Sequence, residues 1–499
     1  MSAQPIHKQN QFKSIAKQGI WYLIASLLTK AVSLLLLPVY TRYLSPEDYG
    51  ILGSLEAVSR FLPVVLSLGL DGAFVRFYYG ARRESDEAVQ LLFSTLYWSL
   101  IGWGLLASCT VLLLAPTMLA PQLSVPYWPY IPLTVMAPLL GQLAIIGASY
   151  QSANLRARDV SAVETTGFLL NVGSSVALLV LVKAGAPSKL WGTVIGALAS
   201  AIIYSYLAVR SGLLRLRFSR AALLQCLGYS LPLVPAVAAS WISQISDRLI
   251  LARYGPMSEV GLYSLSVQVA YLLYLVQDAI SKVQMPIGFS ALTEDPEKGK
   301  KLAADFLVAY AVIIGGAFLS LSLFAREFLM VFTEQRYHSA YALVGILAAP
   351  YFISGFYRPF LPILQNRNKN WIIAAAAFLA AGANAGLNLW LIPQYGKIVA
   401  ALTTLLSALV YTLWIVSWSQ AVDRMRVRSF LIGCVLVTAF GLAGVGYLLD
   451  QLYADWTLSL GAAKAAVLMG YAGLTCLSPT LRRAYLKVGR TLRQKFLPA

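Results

Sequence analysis

Residues 34–50 of the chain read LLLLPVYTRYLSPEDYG. A long apolar run ends within this stretch, a short polar segment containing Arg42 and Asp48 follows, and a second apolar run begins at about residue 49. Each run has close to the roughly 20 residues that an α-helix needs to cross the hydrocarbon core of a bilayer. The stretch therefore predicts two membrane-spanning helices that are joined by a tight loop.

The rest of the chain repeats this alternation of apolar runs and short polar segments. It has 499 residues, of which 58% are hydrophobic and 12% charged, and its mean hydropathy is +0.68. A soluble domain usually carries about twice that charged fraction. We expect an all-α integral membrane protein of about 14 transmembrane helices. The predicted spans are residues 18–39, 49–69, 89–115, 127–150, 161–183, 190–209, 228–250, 259–282, 303–325, 340–364, 371–392, 397–418, 429–449 and 458–477, and prolines in spans four and ten are expected to kink both.

The formal net charge of +18 would suggest nucleic-acid binding in a soluble protein. Here the basic residues concentrate in alternate connecting segments, where they set the orientation of the helices, and no nucleic acid is expected as a partner. Their distribution predicts a multi-pass membrane protein with both termini cytoplasmic. No cleavable signal peptide is expected, because the first apolar run is long enough to span the membrane and lacks a clear cleavage site.

Four short matches in sequence order indicate a weak internal repeat at nearly one offset, and two of them follow. Arg42-Tyr43 with Asp48 and Gly50 recurs as Arg253-Tyr254 with Glu259 and Gly261, and Asn171-Val172-Gly173 recurs as Asn384-Ala385-Gly386. We expect two six-helix lobes, at residues 1–227 and 228–424, around a central cavity. Because six is even, the lobes would share one orientation and be related by an axis along the membrane normal. Residues 425–499 would add two helices and a basic cytoplasmic tail.

Several predicted spans contain polar or charged residues. A charge at the centre of a bilayer costs about 3 kcal/mol even on lenient insertion scales, so it is expected to face protein or water. A shared aqueous cavity would accommodate all of these residues: the cations Lys30, Arg60 and Arg358 as substrate-binding groups, and Glu56, Asp247, Gln244, Gln268, Asp278, Asn171 and Asn384 as polar groups with a possible part in ion coupling.

A second interpretation assigns these residues to helix packing. Small and polar side chains also hold membrane helices together without lining a cavity. Glu56 and Arg60 are four residues apart and could neutralise each other, and Lys464 is expected to extend toward the membrane surface. The motifs Gly192-x-x-x-Gly196 and Gly382-x-x-x-Gly386 are interpreted as close-packing sites between helices.

Motifs for catalysis, nucleotide hydrolysis or metal binding are not found in the sequence. It has no phosphate-binding Gly-rich loop ending in Gly-Lys-Ser/Thr and no Gly-x-Ser-x-Gly elbow. The four cysteines and two histidines lack metal-ligand spacing. We therefore expect neither an enzyme nor a cofactor or metal.

Three segments carry a resemblance to a known family. Residues 34–50, residues 246–263 (SDRLILARYGPMSEVGLY) and residues 389–402 (LWLIPQYGKIVAAL) resemble polysaccharide and O-antigen flippases. These form the polysaccharide transport branch of the multidrug/oligosaccharidyl-lipid/polysaccharide exporter superfamily. The resemblance implies alternating-access translocation of undecaprenyl-pyrophosphate-linked oligosaccharide repeat units from the inner to the outer leaflet, for O-antigen, capsule or exopolysaccharide synthesis.

The resemblance also implies which residues and partners take part. In related flippases, basic residues on the first two helices bind the pyrophosphate, and Lys30 and Arg60 lie at comparable places. The implied partners are the polyprenyl-pyrophosphate-linked glycan, membrane lipids, and a polysaccharide polymerase with its export machinery, and the protein is expected to be a monomer.

Two other functions stay open at this point. An ion-coupled multidrug exporter of the same superfamily would need an acidic cavity, whereas here Glu56, Asp247 and Asp278 compete with three cations. A membrane-embedded glycan polymerase or ligase would need a large outer catalytic loop, whereas the predicted outer loops are short.

Overall fold

The computed structural model describes residues 28–453 and 457–477, and every regular element in these ranges is helical. The predicted all-α class is confirmed. Eleven helices among the described residues are long and apolar enough to cross a membrane, judged by length and composition. The predicted total of about 14 spans stays a prediction. The first predicted span lies partly outside the described residues, and the predicted basic tail lies outside them.

Contacts divide the chain into two units, Met1–Gly261 and Leu262–Ala499. The lobe boundaries that the repeats predict, at residues 227 and 424, stay predictions. In the first unit the helices are α1 (described over residues 28–35), α2 (Leu37–Tyr43), α3 (Pro46–Ser67), α4 (Leu70–Glu84), α5 (Asp86–Met118), α6 (Ala120–Leu123), α7 (Tyr130–Ala153), α8 (Ala157–Ala177), α9 (Ala186–Arg210), α10 (Arg220–Ser230), α11 (Val234–Tyr254) and the first turn of α12 (Met257–Glu294).

The second unit contains the remainder of α12 and eight further helices. These are α13 (Pro296–Leu323), α14 (Ala325–Phe332), α15 (Tyr341–Ser354), α16 (Leu361–Asn366), α17 (Asn370–Tyr395), α18 (Lys397–Val422), α19 (Ser429–Leu452) and α20 (Leu458–Leu477). Most helix ends in both units lie within a few residues of the predicted spans. The main exception is α12, which extends well beyond residue 282.

Some helices were not predicted because they are too short or too polar to span. The clearest is α4, whose buried side chains Leu70, Phe74 and Tyr78 share one face, while Arg82 and Arg83 near its end are exposed. This spacing is the amphipathic pattern of a helix that packs one face and exposes the other.

Span ten is interrupted, as its prolines predict. Helix α15 ends at Ser354, and a short 3-10 turn, Arg358–Phe360, precedes α16. Tyr310 on α13 fills the break: its hydroxyl donates to the Phe352 carbonyl at 3.0 Å, and a side chain at Gly355 would overlap its ring. Span four, in contrast, continues as one helix through Pro138.

The stretch at residues 34–50 folds as a helix hairpin with a capped turn. Ser45 precedes α3, and its hydroxyl accepts a hydrogen bond from the Asp48 backbone N–H at 3.0 Å. The Asp48 carboxylate accepts in return from the Ser45 N–H at 3.0 Å, which completes a capping box. The same carboxylate accepts from the Ala186 N–H at 3.4 Å, where α9 begins. Asp48 therefore ties together the starts of two helices.

The two glycine motifs that predict close helix packing differ in the structure. A Cβ atom at Gly192 or Gly196 would overlap atoms of Asn171 or Gly167, so α8 and α9 pack backbone to backbone there and the prediction is confirmed. At Gly382 and Gly386 an added Cβ would meet no atom of the described residues within 4 Å, so within this part of the chain the prediction of close packing is wrong. Glycine spacing alone does not show whether a neighbouring helix covers that face.

Candidate functional site

The charged pair Glu56 and Arg60 lies on α3. Arg60 Nε donates to Glu56 Oε1 at 2.9 Å, and the side chains of Arg60 and Glu56 are 57% and 44% exposed, respectively. Both residues belong to a helix that is long and apolar enough to span a membrane. Since an exposed charge pair is costly against lipid, this face of α3 should contact water. The two side chains form an ion pair, which agrees with the interpretation that residues four apart on this helix neutralise each other.

Lys189 and Arg248 add two further cations around this pair. Lys189 lies in the first turn of α9, within electrostatic range of both Glu56 and Arg60. Its ammonium lies 5.1 Å from the ring centroid of Tyr40 and 5.9 Å from that of Tyr49. Cation–π contacts of this kind hold an ammonium in place without neutralising its charge.

Arg248 reaches the same pair from α11, within electrostatic range of Glu56. Among the residues that the structure describes, none hydrogen-bonds its buried Nε atom. The neighbouring Asp247 is buried, and its carboxylate accepts from the backbone N–H of Arg248 at 2.8 Å. Arg60 thus pairs with the Glu56 carboxylate, Lys189 and Arg248 lie within electrostatic range of it, and we call these four residues the cation cluster.

Two residues predicted for the same site are placed less fully. Lys30 is half-buried on α1, and the interactions of Glu56 described above do not include it. Gln244 lies on α11, but its side chain is outside the described part of the structure.

Arg358 belongs to a separate, aromatic environment in the second unit. When the Gln277 amide is oriented to satisfy its neighbours, its oxygen accepts from Arg358 Nε at 3.2 Å and from the Gly355 N–H at 3.1 Å. Tyr357 and Tyr411, whose ring centroids are 4.7 Å apart, lie within electrostatic range of the Arg358 guanidinium. This arginine is therefore held by an amide and surrounded by rings.

The other predicted polar residues of the second unit differ in their contacts. Asp278 pairs with Lys282 at 2.8 Å, one turn along α12, and Gln268 is half-buried on the same helix. Asn384 is buried between α17 and α18, and its side-chain oxygen accepts from Asn388 Nδ2 at 3.1 Å. In the first unit, Asn171 packs against Gly192 and Gly196 of α9. The two asparagines therefore take part in helix packing.

Lys464 does not extend to the membrane surface, so that expectation is wrong. Its side chain is 0% exposed, and Nζ lies 2.6 Å from Glu327 Oε1 and 2.7 Å from Asp450 Oδ1. Arg326 lies 3.7 Å from the same Asp450 oxygen. The four charges balance, which allows them to be buried together where α20 meets α14 and α19.

Sequence reasoning missed Lys189 and Arg248 as site residues. Lys189 lies just before the predicted span 190–209 and Arg248 near the end of the predicted span 228–250, and neither is among the predicted cavity residues. A signal for Arg248 was present, because it lies four residues after Gln244 and therefore on the same helical stripe. For Lys189 the sequence offers no comparable signal, since its approach to Glu56 depends on how α9 packs. No cluster of metal-ligating side chains occurs among the described residues.

A family model described as "Polysaccharide biosynthesis protein" matches residues 39–342. The chain belongs to this family. Among its relatives, the succinoglycan biosynthesis transport protein ExoT of Rhizobium meliloti is 23% identical over 510 residues, covering 98% of each chain. This near-complete coverage means that the similarity is not confined to the region that the family model matches.

Solved structures of two transporter types resemble the chain. The lipid II flippase MurJ, in an inward closed conformation, has a TM-score of 0.70 at 15% identity, covering 92% of this chain and 99% of that one. An inward-facing multidrug resistance MATE family transporter of the MOP superfamily has a TM-score of 0.62 at 14% identity, covering 79% of this chain and 96% of that one. At these identities the likeness establishes the fold of this family member.

Proposed function

We propose that the protein is a flippase for undecaprenyl-pyrophosphate-linked oligosaccharide repeat units. It would carry them from the inner to the outer leaflet of the bacterial cytoplasmic membrane by alternating access, for synthesis of a surface polysaccharide. The observation that carries the proposal is the cation cluster, in which three cations lie within electrostatic range of one carboxylate on helices of a membrane transporter fold.

The chemistry of the substrate fits this excess of positive charge. A pyrophosphate is the strongly anionic part of a lipid-linked sugar, and guanidinium and ammonium groups bind it through charge-assisted hydrogen bonds. Moving that charge through a region of low dielectric requires compensating cations along the route. The Nε atom of Arg248, which no described residue hydrogen-bonds, is a donor from which such an anion could accept a hydrogen bond.

The same cluster argues against a multidrug exporter of cationic compounds. Such a transporter needs a carboxylate that can attract a cation, whereas Glu56 already has Arg60 as an ion-pair partner and two further cations nearby. A polymerase or ligase would need an outer catalytic domain. Among the described residues the longest predicted outer connection, residues 326–339, consists mostly of α14 and a short 3-10 turn.

Deletion of the gene tests the proposal. Spheroplasts of the deletion strain would be treated with a membrane-impermeant oxidant of sugar diols, and lipid-linked glycans would then be analysed by mass spectrometry. We expect a lipid-linked repeat unit to accumulate and to resist oxidation, because it remains on the inner leaflet. Accumulation of an oxidant-sensitive unit would instead indicate a polymerase. Unchanged glycans together with greater drug sensitivity would indicate an exporter.

A further inference from the structure

Three tyrosines in the second unit form a group that the cation cluster does not explain. The rings of Tyr271 and Tyr274 on α12 are stacked, with centroids 4.8 Å apart and planes inclined by 27°. Tyr351 on α15 lies across both, 5.6 Å from Tyr274 and 6.1 Å from Tyr271. Tyr271 is 40% exposed, while the other two are half-buried. The group thus has a rigid base and one accessible ring.

The exposed ring is expected to face water and not lipid. Asp278 lies two turns beyond Tyr271 on the same side of α12, and its partner Lys282 is 58% exposed. A helix face that bears an exposed ion pair is costly against lipid. Tyr271 is also near the middle of the apolar segment Met257–Lys282, so it does not belong to the aromatic belt at a membrane surface.

We propose that Tyr271, Tyr274 and Tyr351 form a stacking platform for a pyranose ring of the transported glycan, an inference that rests on the proposed function. The apolar face of a pyranose presents C–H groups with partial positive charge, which are attracted to the electron-rich face of a tyrosine ring. Because the second and third tyrosines hold the first in place, little side-chain entropy is lost on binding.

Hydrogen-bonding groups lie next to the platform on the same two elements. Gln277 follows Tyr274 by three residues on α12, and Ser354 follows Tyr351 by three residues on α15. Gln277 in turn contacts the Arg358 guanidinium. Gln277 is fully buried and holds Ser354 and Arg358 in place. An aromatic face with a half-buried hydroxyl and a half-buried guanidinium nearby matches a sugar, which has an apolar face and hydroxyls at its rim.

The internal repeat supports a division of labour between ring and charge. The offset that relates Gly50 to Gly261 relates Arg60 to Tyr271. A cation therefore occupies this position on α3, and an aromatic ring occupies the equivalent position on α12. The two repeats therefore differ in the chemistry of this position, with a charge in one and an aromatic ring in the other.

The test uses the full-length protein in lipid nanodiscs. The probes are undecaprenyl pyrophosphate and the same lipid carrying a single glucose, galactose or N-acetylglucosamine, with affinities measured by microscale thermophoresis. We expect at least one glycosylated probe to bind roughly 3- to 10-fold more tightly than the bare lipid. Tyr271→Ala and Tyr274→Ala should abolish this gain without changing affinity for the bare lipid, whereas Tyr271→Trp should keep it.

Tyr395→Ala is the matched control. Tyr395 is 63% exposed on α17, whereas the platform residues belong to α12 and α15. This variant should leave all affinities unchanged. Equal affinity of the wild-type protein for all four probes would overturn the platform. So would an equal loss of bare and glycosylated binding in the tyrosine variants. Failure of the proposed function looks different, because the wild-type protein would then bind not even the bare lipid pyrophosphate.

Discussion

Gly50 and Gly261 occupy equivalent positions of the internal repeat, and each lies against the backbone of the other's helix. A Cβ atom at Gly50 would overlap the carbonyl oxygen of Met257, and one at Gly261 would overlap the carbonyl oxygen of Pro46. Met257 and Pro46 are themselves equivalent in the repeat. The first turns of α3 and α12 therefore cross reciprocally, and only glycine fits at the crossing.

This crossing predicts that Gly50→Ala and Gly261→Ala destabilise the protein. Overpacking usually costs about 1–3 kcal/mol, and here the obstructing atoms are backbone and cannot move aside easily. We expect a lower unfolding temperature for the purified protein in detergent, measured by loss of the monodisperse chromatographic peak after heating. Gly382→Ala and Gly386→Ala are matched controls, because an added Cβ at either position meets no atom from the described part of the chain. Equal unfolding temperatures for all four variants would contradict the reciprocal crossing.

The positions of the helices could be predicted from the sequence because hydropathy is a local property. Apolar runs near residues 89–115 and 397–418 give the helices Asp86–Met118 and Lys397–Val422 with small errors at their ends. The start of α3 was equally accessible, since Ser45, Pro46 and Asp48 form a capping pattern within four residues. Helices are well predicted from apolar runs in membrane proteins, because a spanning segment must satisfy its own backbone hydrogen bonds.

The contacts between charged side chains on different helices could not be predicted from the sequence in this way. Lys189 and Arg248 approach Glu56 from distant parts of the sequence, so their meeting depends on helix packing. Lys464 is a second example, in which a residue that was expected to reach water is buried. A lone lysine in an apolar run is expected to extend toward water, but Glu327 and Asp450 from two other helices make burial favourable instead.

The buried charge group around Lys464 predicts a strongly destabilised variant. Lys464→Met would leave Glu327 without its ammonium partner and Asp450 with only the more distant Arg326. Removing one partner of a buried ion pair typically costs about 3–5 kcal/mol. We expect a marked fall in unfolding temperature, partly restored in the triple variant Lys464→Met, Asp450→Asn, Glu327→Gln.

The control for this prediction is Lys298→Met. Its ammonium also forms an ion pair, with Asp295, but the side chain is 87% exposed. Exposed pairs contribute little to stability, so this variant should unfold near the wild-type temperature. If Lys464→Met and Lys298→Met behave alike, burial of the Lys464 group is not what stabilises it.

A second ion cluster predicts a pH dependence of stability. Asp423 follows α18 and contacts Lys300, and it accepts from Arg367 Nη2 at 3.3 Å. The Lys300 ammonium, aided by Arg367, lowers the pKa of the Asp423 carboxyl below its usual value of 3.8, although burial opposes this. Because the folded pKa is depressed, the stabilisation is present at neutral pH and is lost as pH falls through the folded pKa.

Asp423→Asn should therefore unfold at a lower temperature than the wild type at pH 7. The difference should shrink only below about pH 4, where the wild-type carboxyl begins to be protonated. Unfolding temperatures measured between neutral and strongly acidic pH would test this. Asp86→Asn is the control, because the Arg82–Asp86 pair is exposed and should contribute little at any pH. A difference for Asp423→Asn that grows as pH falls would contradict the sign.

The charge distribution predicts the topology. We expect both termini and the segment around residues 293–301 to be cytoplasmic, because basic residues concentrate on that side. Ser85→Cys, Lys298→Cys and Gln494→Cys should resist an impermeant maleimide added to intact cells and react after permeabilisation. Ser85 and Lys298 are exposed in the structure, so lack of reaction would reflect sidedness and not burial. Labelling of all three in intact cells would reverse the topology.

The cation cluster predicts the effect of charge on export. Arg60→Ala, Lys189→Ala and Arg248→Ala should each lower glycan export roughly 10- to 100-fold, the cost of losing a hydrogen bond to a charged group. Arg60→Lys should retain part of the activity because the sign of charge is kept, and Arg60→Glu should have none. The measurement is complementation of the deletion strain, with surface glycan quantified against membrane levels of each variant.

These variants should remain folded, because Glu56 keeps two neighbouring cations when any one of the three is removed. Arg253→Ala is the matched control, since Arg253 is exposed near the end of α11 and contacts only a backbone carbonyl among the described polar contacts, that of Pro121 at 3.4 Å. It should export normally.

Lys30→Ala then separates two versions of the mechanism. Loss of export with the protein at normal abundance would place Lys30 on the route of the pyrophosphate together with the cluster. Normal export by Lys30→Ala would confine anion binding to the cluster. Normal export by all three cluster variants would make the cluster structural, and the pyrophosphate would have to be bound elsewhere.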